Sequence, residues 1–212
     1  MDTDQFIRTL VADGTHRTKP VWLVLAATLL AAAPVSICFF LWNLGLRSDV
    51  MTAMHNPFFD LKFVITLSLT GSAIAVSLRL SRPEASLRCV AWLLAIPAGL
   101  LFAGITCEMM LPQQLPMMAR LVGSNSRICL TAIPIMSVPL LAASLMGLRH
   151  GASSRPALTG AMAGLLSAGA AATLYASNCT DDSPLFVMTW YSISTFSVAL
   201  VGAMVGSKLL RY

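Results

Sequence analysis

Cys179 shares a short polar run with two carboxylates, Asp181 and Asp182, in the stretch Asn178-Cys179-Thr180-Asp181-Asp182-Ser183-Pro184-Leu185-Phe186, which leads into Thr189-Trp190-Tyr191. A thiol in such company can take a soft metal ion, be oxidised, or close a disulfide with a second thiol. The run lies between two long apolar stretches, where water, oxidants and metal ions are expected to reach it. No CxxC or HExxH pattern accompanies it, so the spacing alone does not require a metal.

The elements that must position these residues are membrane helices. Apolar residues make up 57% of the chain and charged residues 11%, against about 45–50% and about a quarter in soluble domains. A span needs about 20 mostly apolar residues, and six windows qualify: Trp22–Leu44, Phe58–Leu80, Val90–Met110, Ile128–Leu148, Pro156–Tyr175 and Leu185–Val205. Windows this long are helices, because lipid offers the backbone no hydrogen-bond partner. The expected fold is all-α: a bundle of six transmembrane helices over residues 21–212, preceded by a cytoplasmic tail, residues 1–20. The first window is too long for a signal-peptide core and reads as a retained span. Pro34, Pro97, Pro134 and Pro139 fall inside spans and invite kinks.

Lys and Arg in short loops stay on the cytoplasmic side. Ten of the 14 basic residues lie in the tail, in the second and fourth links and at the C-terminus, which places both termini in the cytoplasm. Cys129, Cys179 and His55 then share the opposite side. In a bacterial inner membrane that side is the oxidising periplasm. Cys129 and Cys179 are the candidate sensing thiols, with Asp181, Asp182 and His55 as auxiliary ligands of a transient metal ion. A permanent structural disulfide accounts for the pair equally well. Cys38, Cys89 and Cys107 read as small apolar filler. Asp60, Lys62 and Glu108 lie near span ends and are expected to snorkel. No charge sits at mid-span, which argues against a pump or permease.

Phe6, Ile7, Leu10 and Val11 recur at helical spacing behind Asp2, Thr3 or Asp4 as a cap. They describe a short cytoplasmic amphipathic helix, suited to a protein groove or to an interfacial anchor. Gly160 with Gly164, and Gly202 with Gly206, are small pairs four residues apart that let the fifth and sixth spans approach closely. A homodimer contact through one pair is the alternative. The net charge of +5 comes from the loop asymmetry, with no basic run of the kind that binds nucleic acid.

The chain resembles the NrsF-type family, negative regulators of sigma F that span the bacterial inner membrane six times. The matching residues are the Asn178–Phe186 run with Trp190-Tyr191, Leu148-Arg149-His150-Gly151-Ala152 with Pro156 and Gly160, Cys129 with Ile133-Pro134 and Pro139, and the Asp4…Leu10 pattern of the tail. The likeness covers nearly the whole chain. It implies an anti-sigma factor, not an enzyme, that needs no obligatory cofactor and holds an extracytoplasmic-function sigma factor until a periplasmic stress arrives. It further implies that Asp4, Phe6, Ile7, Leu10 and Val11 bind sigma, and that Cys129 and Cys179 answer to toxic metals or oxidants. The competing reading is a membrane thiol oxidoreductase that passes electrons to a quinone. For that the sequence offers no second reactive pair.

Overall fold

The computed structural model describes residues 3, 5, 20–82, 91–112 and 115–211, and among them every regular element is helical. Six helices are long and apolar enough to cross a membrane. The first span is Val21–Asn43, the second Pro57–Leu80, the fourth Ser126–Leu148 and the fifth Pro156–Ala176. The third opens with a 3-10 turn, Ala91–Leu94, before Ala95–Met110. The sixth runs through Pro184–Phe186, a π-helical turn Val187–Tyr191, and Ser192–Leu209. Short helices, Val50–Ala53 and Met117–Val122, break up the two longer links.

The starts follow local chemistry. Pro57, Pro156 and Pro184 each occupy the first turn of a helix, where a missing N–H costs nothing. Asn56 and Ser183 cap two of these starts by accepting from the Phe58 and Leu185 N–H groups at 3.1 and 3.2 Å. The fourth span stays helical through Pro134 and Pro139. The tail residues Asp4, Phe6, Ile7, Leu10 and Val11, and also Cys89, lie outside the described residues.

The fifth span is the hub, with 61% of its apolar window buried against 17% for the third, which sits at the edge. Its small residues explain the position. A side-chain carbon at Gly160 would collide with the Gly202 and Gly206 backbones, and one at Gly164 with Ala199. Both glycine pairs are therefore spent within the chain, fifth span against sixth. Gly169 meets Thr70 of the second span, and the Ser144 and Ser167 hydroxyls join the fourth and fifth at 3.2 Å. The first span lies on the fourth, with Gly147 against Leu25 and the Ser36 hydroxyl donating to the Met136 carbonyl at 2.9 Å.

Replacing Gly202 by leucine should force the two spans apart and cost about 1–3 kcal/mol or more, read as a lower unfolding midpoint in detergent. Gly71→Leu is the control, since nothing lies within 4 Å of the added carbon, and it should leave the midpoint nearly unchanged.

Candidate functional site

The Cys179–Ser183 link closes one end of the bundle, and its backbone turns inward. The Asn178 and Cys179 N–H groups both donate to the Tyr175 carbonyl at 3.0 Å, which tucks Cys179 beneath the last turn of the fifth span. Cys129 stands one turn into the fourth span and is equally buried; both side chains have 0% exposure. The expectation of a water-accessible thiol is thus corrected. Both thiols are free and share one core cluster with Tyr175, Phe186 and Tyr191. They lie close enough to influence each other electrostatically. The Cys179 thiol donates weakly to the Asp181 carbonyl at 3.8 Å. Burial pushes its pKa up, opposed by the nearby Lys62 ammonium, so at neutral pH it is a protonated thiol.

Lys62 is the residue whose placement the sequence misjudged most. Its side chain is 1% exposed, and its ammonium meets Asp182 at 2.6 Å, the Cys179 carbonyl at 3.0 Å and the Asp181 carbonyl at 3.4 Å. It does not snorkel, because its helix face, shared with Phe59, Ile65 and Thr66, is packed inside. Arg47 reaches the same carboxylate at 3.1 Å and grips Asp49 with two bonds of 2.7 Å. The Asp49 bond, ahead of Asp182, pushes the Arg47 pKa up against its own burial, and the Arg47 bond holds Asp49 below the ordinary carboxylate range. Asn178 donates to the Leu44 and Gly45 carbonyls at 3.1 and 3.0 Å and ties the first link to the motif.

Asp181 turns the other way. Its carboxylate accepts from the backbone N–H groups of Ser124 and Asn125, the latter at 2.8 Å, just before the fourth span begins. A negative charge there suits the positive end of that helix. Glu108, also expected to snorkel, is 2% exposed and accepts from the Ser183 hydroxyl at 2.7 Å while facing Arg120 at 2.9 Å. Of the three charges near span ends, Asp60 alone stays exposed. Trp190 donates to the Leu121 carbonyl at 2.9 Å, so the link before the fourth span is fastened to the sixth as well. Four separate segments therefore converge on the motif.

This arrangement bears on metal binding. Asp181 and Asp182 are turned to other partners, and His55 is exposed with its Nδ1 at 3.0 Å from the Met51 carbonyl. Among the described residues no three His, Cys, Asp or Glu side chains form a metal-holding group. The donors that do stand together are the two sulfurs with the phenols of Tyr175 and Tyr191, a set that suits a thiophilic ion or disulfide chemistry. Cys38 and Cys107 are exposed on the flanks of their spans rather than filling the core.

The chain matches the family described as NrsF, negative regulator of sigma F, over residues 10–212. It belongs to the NrsF family. It is 35% identical over its full length, and the full length of the relative, to the anti-sigma-F factor NrsF of Caulobacter vibrioides. It is 29% identical to the probable anti-sigma-F factor NrsF of Azospira oryzae, over 90% of this chain and 85% of that one. No solved structure matches it. The clamped motif lies at the opposite end of the bundle from Pro20, where the first span begins.

Two measurements follow from the geometry. Lys62→Met leaves Asp182 to Arg47 and the Asn56 amide and should cost about 3 kcal/mol in detergent unfolding, and adding Asp182→Leu should recover part of the loss. A chain retaining Cys179 as its one cysteine should resist maleimide at neutral pH while folded and react readily once unfolded. Because the folded thiol keeps its proton where the unfolded one loses it, stability should fall as pH rises beyond about 8.5.

Proposed function

We propose that this chain is an anti-sigma factor of the bacterial inner membrane, with both termini in the cytoplasm and the Cys179–Ser183 link in the periplasm. The N-terminal segment, residues 1–20, captures an extracytoplasmic-function sigma factor through the apolar face of Phe6, Ile7, Leu10 and Val11, with Asp4 at its head. The six-span body holds that segment at the membrane and reads the signal. The observation that carries this reading is the full-length likeness to a relative named as an anti-sigma-F factor, joined to a thiol pair sealed beneath an ion-paired loop.

Sealing suggests how the signal works. A protonated thiol with no exposure reacts slowly, so stress chemistry waits on opening of the Lys62–Asp182–Arg47 clamp. Once the thiols are reachable, a thiophilic ion displaces their protons and binds both sulfurs, or a two-electron oxidant accepts two electrons and two protons as the disulfide forms. Either product holds the fourth span to the end of the fifth in a new way. The ligand must prefer the releasing state by about 5.5 kcal/mol to swing capture from 99:1 to 1:99, which bonds to two sulfurs can supply. No resident cofactor is needed. The same burial weighs against a thiol oxidoreductase, whose attacking sulfur needs a low pKa and an open approach.

In a detergent pull-down, the full-length chain should retain a sigma factor and a chain lacking residues 2–14 should not. Cys129→Ser and Cys179→Ser chains should retain it as well, yet fail to release it on treatment with cadmium or a dithiol oxidant. Unaltered release by both serine variants would remove the thiols from the mechanism.

A further inference from the structure

A second feature lies behind the thiols, within the span region. A cavity of about 360 Å³, open on one side, is lined by the second, third, fifth and sixth spans, with Pro97, Ala98 and Leu101 on one wall and Tyr191 on the other. Its size falls within the range of about 300–1,000 Å³ usual for small-molecule sites. The third span is tied at both ends. Gly104 packs on Leu61 and Pro184 toward the motif, and the Ser72 hydroxyl donates to the Leu93 carbonyl at 2.9 Å toward the other end. Between these ties the cavity separates it from the sixth span, and Phe196, 71% exposed, forms part of the rim.

The lining identifies what fits. Thr66 and Thr195 line the cavity, but their hydroxyls donate to the Lys62 and Ser192 carbonyls at 3.0 and 3.1 Å within their own helices. Almost everything else on the wall is apolar. All the lining residues belong to spans, so the mouth faces hydrocarbon, and an unfilled apolar void would forfeit the dispersion contacts of its walls. We propose that this cavity binds one hydrocarbon chain of a membrane lipid, and that the bound chain keeps the thiol pocket closed.

Tyr191 supplies the coupling. It ends the π-helical turn Val187–Tyr191, a type of irregularity common at functional sites. Its ring walls the cavity, and its hydroxyl is buried without a hydrogen-bond partner. That hydroxyl is turned toward the thiols, within electrostatic reach of both sulfurs. With no more than a weak contact to the Cys179 sulfur to fix its hydroxyl, the ring is held chiefly by packing: Tyr175 at 5.7 Å, Phe186 at 6.2 Å, and whatever fills the cavity. Loss of the chain frees Tyr191 to swing into the vacated space and uncovers Cys129 and Cys179. The binding site stands on its own geometry, whereas its regulatory use rests on the thiol-sensing reading.

The test uses full-length protein carrying Cys38→Ala, Cys89→Ala and Cys107→Ala. Native mass spectrometry from a mild detergent should find one retained phospholipid per chain, lost in Ala98→Phe, which fills the cavity, and kept in Ala27→Phe on the exposed face of the first span. Stripping the lipid should speed maleimide labelling of Cys129 and Cys179 about tenfold, the effect of removing about 1.4 kcal/mol of support from the closed state. The Ala98→Phe chain should label slowly in either condition. Equal lipid retention by Ala98→Phe and the unaltered chain would overturn the site. Equal labelling with and without lipid would overturn the coupling. Neither result touches sigma release by the cysteine variants, so failure here is distinct from failure of the sensing reading.

Discussion

A lysine side chain buried in a membrane bundle must find a counter-charge, and this molecule is organised around how Lys62 finds one. An unpaired ammonium in so apolar a setting would cost far more than any single packing contact returns. Asp182 answers it at 2.6 Å, and the carbonyls of Cys179 and Asp181 satisfy the remaining donors. Because those acceptors all belong to one short link, neutralising the charge also fixes the path of that link. The same bonds hold Cys179 in its buried position.

From that constraint the rest of the motif end follows. With Asp182 drawn toward the second span, Asp181 is left facing the start of the fourth, where backbone N–H groups and the helix dipole favour it. Ser183 then stands beside Glu108, and Pro184 opens the sixth span against Gly104 of the third. The run Cys179–Pro184 is held by four segments: the first link through Arg47, the second span through Lys62, the third span through Gly104 and Glu108, and the link before the fourth span through Ser124 and Asn125. A displacement of Cys179 would therefore bear on several segments at once. The glycine contacts near the other end, Gly160 against Gly202 and Gly206, form a tight joint through which a shift of the fifth span would be passed to the sixth.

Much of this was readable from the residues. The six spans were set by apolar length, and their observed ends differ from the windows by a few residues, with the starts at Pro57 and Pro184 fixed by a first-turn proline and a capping side chain. The close approach of the fifth and sixth spans was signalled by the glycine spacing. What the sequence could not convey was the direction in which side chains at span ends turn. Lys62 and Glu108 lie near enough to an interface to snorkel, but each shares a helix face with packed residues, a fact of tertiary contact rather than of depth. The polar look of the Cys179 link suggested exposure because its carboxylates and amide read as hydrated, whereas in the fold they are consumed by one another's neighbours. The π turn leaves no local mark, since Val187–Tyr191 contains neither glycine nor proline.

If the Lys62–Asp182 pair is what keeps the thiols shut, breaking it should lower the threshold at which the stress signal acts. Sigma factor retained on membranes should be compared between chains carrying Lys62→Met and Lys62→Arg at matched membrane abundance, across a series of cadmium concentrations. Release from the methionine chain at a cadmium concentration about tenfold lower than from the arginine chain is the expected result. The same threshold for both folded chains would contradict the role of the buried ion pair in sealing the thiols.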